Sequence, residues 1–165
     1  PNYQQEIKYL VTHDDRLAWL ARTIQDISLS GNTLVLVDRI ETGQKLYNQL
    51  SNCVFVSGEM KSTDRRDLYK ELNFSEDRIM VATYGTTSTG ISINRIFNLI
   101  LIEPGKSFVR VIQSIGRGLR KADDKDAVEI YDVCSRMKFS NNHLNKRKQF
   151  YTKAEYPFAI KKITI

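Results

Sequence analysis

Five short runs rich in apolar residues punctuate the chain, and helical spacing fills most of the stretches between them. The first, Thr33–Val37 (TLVLV), is apolar almost throughout, as a strand is when both faces of a parallel sheet are covered. Cys53–Val56, Arg78–Thr83, Leu99–Ile102 and Val128–Val133 are read as four further strands. Ahead of the first strand, Leu17, Ala18, Leu20, Ala21, Ile24 and Ile27 recur at helical intervals over Asp14–Ser28. Asp14 or Thr12 is available there as an N-cap, and Gly31 as a stop. Thr42–Leu50 is predicted to be a helix with Leu46, Tyr47 and Leu50 inward, and Thr63–Leu72 and Phe108–Leu119 are two more. A polar, basic helix over Asn141–Ala154, capped from Ser140–His143, precedes Pro157 and a final strand, Phe158–Ile165.

Strands alternating with helices predict βαβ crossovers and a mostly parallel sheet covered on both faces. The expected fold class is α/β, a three-layer sandwich. One domain spans residues 1–165, with a core at about 14–135 and a basic helix and strand at about 138–165. No internal repeat, low-complexity tract or linker interrupts it.

Composition adds limits. The chain is 41% hydrophobic and 27% charged, ordinary for a globular domain. No apolar run is long enough for a membrane helix, and the start has neither a signal-peptide pattern nor an initiator Met, so a piece of a longer product is expected. Cys53, Cys134, His13 and His143 lie at no metal-ligand spacing; the cysteines are read as buried free thiols of a reducing cytoplasm, and no metal site is expected. The net charge of +6 is uneven, because residues 136–165 hold eight Lys or Arg against one acid. A polyanion partner or a solvated helix face would each explain such an end.

In open parallel sheets ligands bind beyond the carboxyl ends of the strands. There the run Tyr84–Ser92 (YGTTSTGIS) offers hydroxyls, backbone N–H groups and glycines that let a phosphate approach, although an ordinary strand-to-helix turn has the same look. Further on, Gln113–Arg120 (QSIGRGLR) places Arg117 and Arg120 three apart, on one face of a helix. Guanidinium suits phosphate oxygens, being always charged and forked; a pair of surface arginines near a helix end is the alternative.

Taken in order, TLVLVDRIETGQKLYNQL (33–50), VFVSG (54–58), IMVATYGTTSTGISI (79–93) and QSIGRGLR (113–120) resemble motifs IV, V and VI of the C-terminal RecA-like domain of superfamily 2 helicases. The resemblance covers roughly Asp14 to Val133, and within the family it is strongest to T4-type phage recombination helicases that remodel branched DNA. It implies that Gln113 and Arg117 face ATP and that Arg120 is the arginine finger on the γ-phosphate. It implies further that Gly90 and Gly116 adjoin the nucleotide, and that Thr83 and Arg39 meet the nucleic-acid backbone. At Ser92 many members carry Asp, thought to touch the ribose, so that contact differs here. A finger arginine contributes on the order of 10³–10⁵ in rate, and one placed on a separate domain makes hydrolysis depend on domain closure.

A complete motor also needs a phosphate loop and an acidic pair for Mg²⁺. Gly105-Lys106-Ser107 imitates the end of such a loop, but Ile100 stands where its first glycine should be, so these residues are read as a connector. The loop and the Mg²⁺ ligands are therefore expected on an N-terminal RecA-like domain of the same parent, and the domain alone is expected to be inactive. Asp123, Asp124 and Asp126 are read as a surface turn. Lys146, Arg147 and Lys148 on the basic helix are candidates for sequence-independent contact with DNA phosphates. Tyr151, Tyr156 and Phe158 are read as packing residues. A monomeric motor half acting in recombination and repair is the first reading, in the host cytoplasm if phage-encoded. A non-catalytic nucleic-acid-binding or regulatory module is the second. A flavodoxin-like or Rossmann enzyme is disfavoured, since Val37-Asp38-Arg39-Ile40 stands where a Gly-x-Gly-x-x-Gly would follow the first strand.

Overall fold

A computed structural model describes residues 3–87, 95–105, 128–135, 137–153 and 159–163. Within them the chain runs α1 (Tyr3–Thr12), α2 (Asp14–Ser28), β1 (Thr33–Val37), α3 (Ile40–Gln49), β2 (Cys53–Val56), α4 (Ser62–Leu72), β3 (Ile79–Thr83), a single-turn α5 (Tyr84–Thr87), β4 (Asn98–Ile102), β5 (Glu129–Val133) and α6 (Lys138–Lys153). The five strands form one sheet in the order β2-β3-β1-β4-β5. Every pairing is parallel, with β1 in the centre between β3 and β4.

The pleat sends alternate residues of each strand into one of two cores. Leu34, Leu36, Met80, Ala82, Leu99 and Leu101 meet Tyr69 and Leu72 of α4 and Tyr151 of α6. Val35, Val37, Ile79, Val81, Ile100 and Ile102 meet Leu17, Leu20, Ala21 and Ile24 of α2 and Leu46 of α3. Two buried faces explain why the central strands carry no polar alternation. α3 crosses on one face toward the β2 edge and α4 returns on the other, which keeps both crossovers the same hand.

Several expectations are corrected. α1 has no counterpart among the expected elements. The N-cap of α2 is His13, whose Nδ1 accepts the Arg16 backbone N–H at 2.9 Å, in place of Asp14 or Thr12. Tyr47 is exposed and leans on Phe55, whose ring lies where a β-carbon on Gly43 would project, so Gly43 lets α3 approach β2 closely. α6 begins at Lys138, which puts Ser140 inside the helix and not at its cap. Residues 159–163 are exposed and pair with no strand, so the final strand is not formed over them.

Candidate functional site

The carboxyl edge of the sheet gathers the residues that follow the strands. Val37 pairs in register with Thr83, which places Arg39 just past β1 and Thr83 at the end of β3 on the same edge. Arg39 is exposed, in extended backbone at the N-cap of α3, and its Nη2 donates to Gln4 Oε1 of α1 at 3.1 Å. The Thr83 hydroxyl stands 2.8 Å from that of Thr86 and accepts the Thr86 backbone N–H at 3.3 Å, closing the turn of α5. Tyr84 then donates its hydroxyl to Ile102 O at 2.9 Å, tying α5 to the end of β4. Burial holds the Tyr84 phenol well above its ordinary value, with Asp132 adding to the effect and Arg147 opposing it.

A second cluster lies at the ends of β4 and β5. Glu103 Oε1 accepts from Arg16 Nη2 of α2 at 2.7 Å and from the Ser135 backbone N–H at 2.7 Å. Burial nevertheless pushes its carboxyl up, against the pull of Arg16 and those hydrogen bonds. Asp132 of β5 receives both arms of Arg147, Nε at 2.6 Å and Nη2 at 2.8 Å, and the Tyr151 hydroxyl at 2.7 Å. The remaining arm, Nη1, donates to Pro104 O at 2.6 Å.

Arg147 therefore does not stand among the surface cations of α6. Its residue is 2% exposed and its guanidinium is enclosed by Asp132 and Pro104, so the expectation that it reaches DNA phosphates is corrected. A planar fork satisfied on every side suits burial, where a lone cation would be strongly disfavoured. Its neighbours differ: Lys146 is exposed and Lys148 half-buried. Tyr151 packs as expected, whereas Tyr156 and Phe158 lie outside the described residues.

The N-terminus of α6 is held from the other end of the chain. Glu6 of α1 accepts the backbone N–H of Phe139 at 3.0 Å and of Ser140 at 2.9 Å, and the Ser140 hydroxyl at 2.8 Å. A carboxylate at a helix start meets both unsatisfied N–H groups and the positive end of the dipole. Burial pushes the Glu6 carboxyl up, but these donors outweigh it and leave it below its ordinary value. Nothing local in sequence marks Glu6, Glu103 or Asp132 for these roles, because each partner is remote.

Gly90, Ser92, Gln113, Gly116, Arg117 and Arg120 lie outside the described residues, as do Phe108–Leu119 and the Asp123–Asp126 turn. Gly105 is described, and with Glu103 and Pro104 it leads out of β4 into that segment. Among the described residues no group of three or more His, Cys, Asp or Glu could hold a metal ion. Cys53 and Cys134 are free and half-buried. Burial pushes Cys53 up to about 12 and Cys134 to about 11, the latter helped by Glu103 and Asp132, so neither is a ready thiolate. No helix among the described residues is long and apolar enough to cross a membrane.

Comparison with known proteins gives this edge a context. The helicase conserved C-terminal domain family matches residues 15–122. The ATP-dependent DNA helicase UvsW of Enterobacteria phage T4 is 30% identical over 154 residues, covering 90% of this chain and 30% of its own length. The crystal structure of T4 UvsW superposes with a TM-score of 0.78 at 25% identity, over 93% of this chain and 35% of that one. The C-terminal domain of the DEAD-box protein Dbp5 shares the fold, with a TM-score of 0.57 at 16% identity over 81% of this chain and 78% of its own. This chain thus spans about a third of the length of UvsW.

Proposed function

The chain belongs to the helicase conserved C-terminal domain family, and from that membership we propose that it is the second motor domain of an ATP-dependent DNA helicase that unwinds or branch-migrates branched DNA in recombination and repair. The observation that carries this reading is that the family match runs from residue 15 to 122, through both YGTTSTGIS (84–92) and QSIGRGLR (113–120), in a chain similar to UvsW. The donor set suits a triphosphate. Arg117 and Arg120 supply forked, permanent charge and Gln113 a neutral amide, while Gly85 and Gly105 have open space where a β-carbon would stand.

In this reading ATP with Mg²⁺ supplies the phosphoryl group whose transfer drives the motor. Arg120 neutralises charge on the γ-phosphate, Arg117 and Gln113 hold the nucleotide against this domain, and Gly90 and Gly116 let the backbone come close. Ser92 stands where the ribose contact would be. Arg39, Thr83, Lys146 and Lys148 grip the DNA backbone, Arg39 and Thr83 from the same sheet edge. The phosphate loop and Mg²⁺ ligands belong to an N-terminal RecA-like domain, so this domain alone hydrolyses no ATP, and the parent works as a monomer in the cytoplasm. The alternative of a non-catalytic binding module has no use for Gln113, Gly116, Arg117 and Arg120 together. The test is DNA-stimulated ATP hydrolysis by the full-length protein, wild type against Arg120→Ala. A loss on the order of 10³–10⁵ in turnover with ATP and DNA binding retained is expected. Unchanged turnover removes the motor reading in favour of the binding module.

A further inference from the structure

The segment carrying Gln113, Arg117 and Arg120 leaves the sheet after β4 and returns at β5, and its point of departure is gripped from two sides. Glu103 stands at φ +47°, in the left-handed region that a residue with a β-carbon seldom adopts. Such a conformation persists where the surroundings over-determine it, and here they do. The Glu103 backbone N–H donates to Val133 O at 2.8 Å, while its carboxylate holds Arg16 and the Ser135 N–H, both at 2.7 Å. The next residue, Pro104, has its carbonyl held by Arg147 at 2.6 Å, and Arg147 is itself locked by both oxygens of Asp132 on the return strand.

We propose that Glu103 and Arg147 are positioning residues for ATP hydrolysis, fixing the main chain from which the arginine-bearing segment departs. The inference rests on the motor reading above and adds to it two residues outside the helicase motifs. Ion pairs that only stabilise need join side chain to side chain. These two also bond backbone atoms: Glu103 takes the Ser135 N–H just past β5, and Arg147 holds Pro104 O at the root itself. A finger arginine acts through placement, and a displacement of about 1 Å can cost roughly 10²-fold in rate. Main-chain restraint at the root limits such displacement.

The experiment uses the full-length protein with ATP and a forked DNA oligonucleotide, comparing Glu103→Gln and Arg147→Lys with Arg120→Ala. Glu103→Gln keeps an acceptor but loses the charge that holds Arg16. Arg147→Lys keeps the charge but cannot span both Asp132 oxygens and Pro104 O. The expected result is a fall in kcat of about 10- to 100-fold for each, with KM for ATP and forked-DNA affinity within about twofold and the protein folded at the assay temperature. Wild-type kcat per folded molecule in both variants, with Arg120→Ala inactive, overturns the positioning role and leaves the motor reading intact. Full turnover by Arg120→Ala overturns the motor reading and this inference with it. If Glu103→Gln does not fold, Arg16→Lys replaces it under the same criterion.

Discussion

Glu6 and Ser140 are joined by two hydrogen bonds across 134 residues of sequence, so α1 caps α6. Both residues are buried, which makes the carboxylate the obligatory partner of that helix start. Glu6→Gln is expected to destabilise the domain by about 1–3 kcal/mol, since a charged acceptor of three donors becomes a neutral amide. The pH dependence follows from the lowered carboxyl of Glu6. A depressed folded-state value means the stabilisation is present above the ordinary carboxylate range and is lost as pH falls through the folded value. Thermal melts of wild type and Glu6→Gln between pH 7 and pH 3 should therefore converge toward the acid end. Glu103, pushed up by burial, acts in the opposite sense in both proteins and cancels in the difference.

Arg147 and Asp132 form a pair that resists single deletion. Arg147→Ala leaves Asp132 half-buried beside the Tyr151 hydroxyl and Pro104 O without a donor, and is expected to cost about 3–5 kcal/mol. Urea unfolding of the domain measures it. A cost below about 1 kcal/mol would mean that the buried fork does not hold α6 in solution.

Lys146 and Lys148 are expected to behave in the contrary way. Lys146→Ala with Lys148→Ala should leave stability within about 0.5 kcal/mol for the exposed site, with a somewhat larger cost at half-buried Lys148. Duplex-DNA affinity of the full-length protein should fall, and the slope of log K against log salt should flatten by about 0.9 for each DNA phosphate that is no longer neutralised. An unaltered slope would take α6 off the DNA path. Arg147 must stay intact in this test, because removing it would report unfolding.

Gly43 sets a test of packing against propensity. Alanine in place of a helical glycine gains up to about 1 kcal/mol, but here the added β-carbon collides with the Phe55 ring. Overpacking of that kind costs about 1–3 kcal/mol, so Gly43→Ala should destabilise. Against a Phe55→Leu background the same change should turn neutral or stabilising, and a double-mutant cycle reads the coupling.

The strands were legible to within a residue, because continuous apolar runs between helical stretches are what a doubly covered parallel sheet demands. Helix α2 was legible from Asp14 to Ser28 because its apolar residues recur at helical spacing, although its cap, His13, was not. What escaped is what depends on remote partners. α1 is held through Glu6, a carboxylate whose partners lie at the other end of the chain, so the helical spacing of Ile7, Leu10 and Val11 alone is a weak signal. Lys146, Arg147 and Lys148 look alike as three consecutive cations, yet successive helix positions point about 100° apart, which leaves Lys146 exposed, Arg147 buried and Lys148 half-buried. Its partner, Asp132, reads in sequence as one more strand residue. The strand expected over Phe158–Ile165 failed in the opposite direction where it is described, since a strand exists only where an edge receives it, and residues 159–163 have none. On the site, the sequence places Arg39 after the first strand and Thr83 at the end of Arg78–Thr83, but that these two strands are neighbours emerges only from the sheet order.

The sheet order has a consequence for birth on the ribosome. Its central strand, β1, is made first, yet both of its neighbours, β3 and β4, are made later and from beyond an intervening strand or loop. At about 5–20 residues per second, the nascent chain holds this apolar strand with both edges open for seconds before Ile79 can meet Thr33, and longer before Asn98 does. No hairpin is available to shelter it, and non-local parallel pairing is slow once the parts exist. α2, already synthesised, can cover one face of β1 in that interval, while Glu6 waits for α6. The clasp between α1 and α6 thus forms only after α6 has emerged, and until then the sheet face that Tyr151 covers stays open and Glu6 lacks the donors of Phe139 and Ser140.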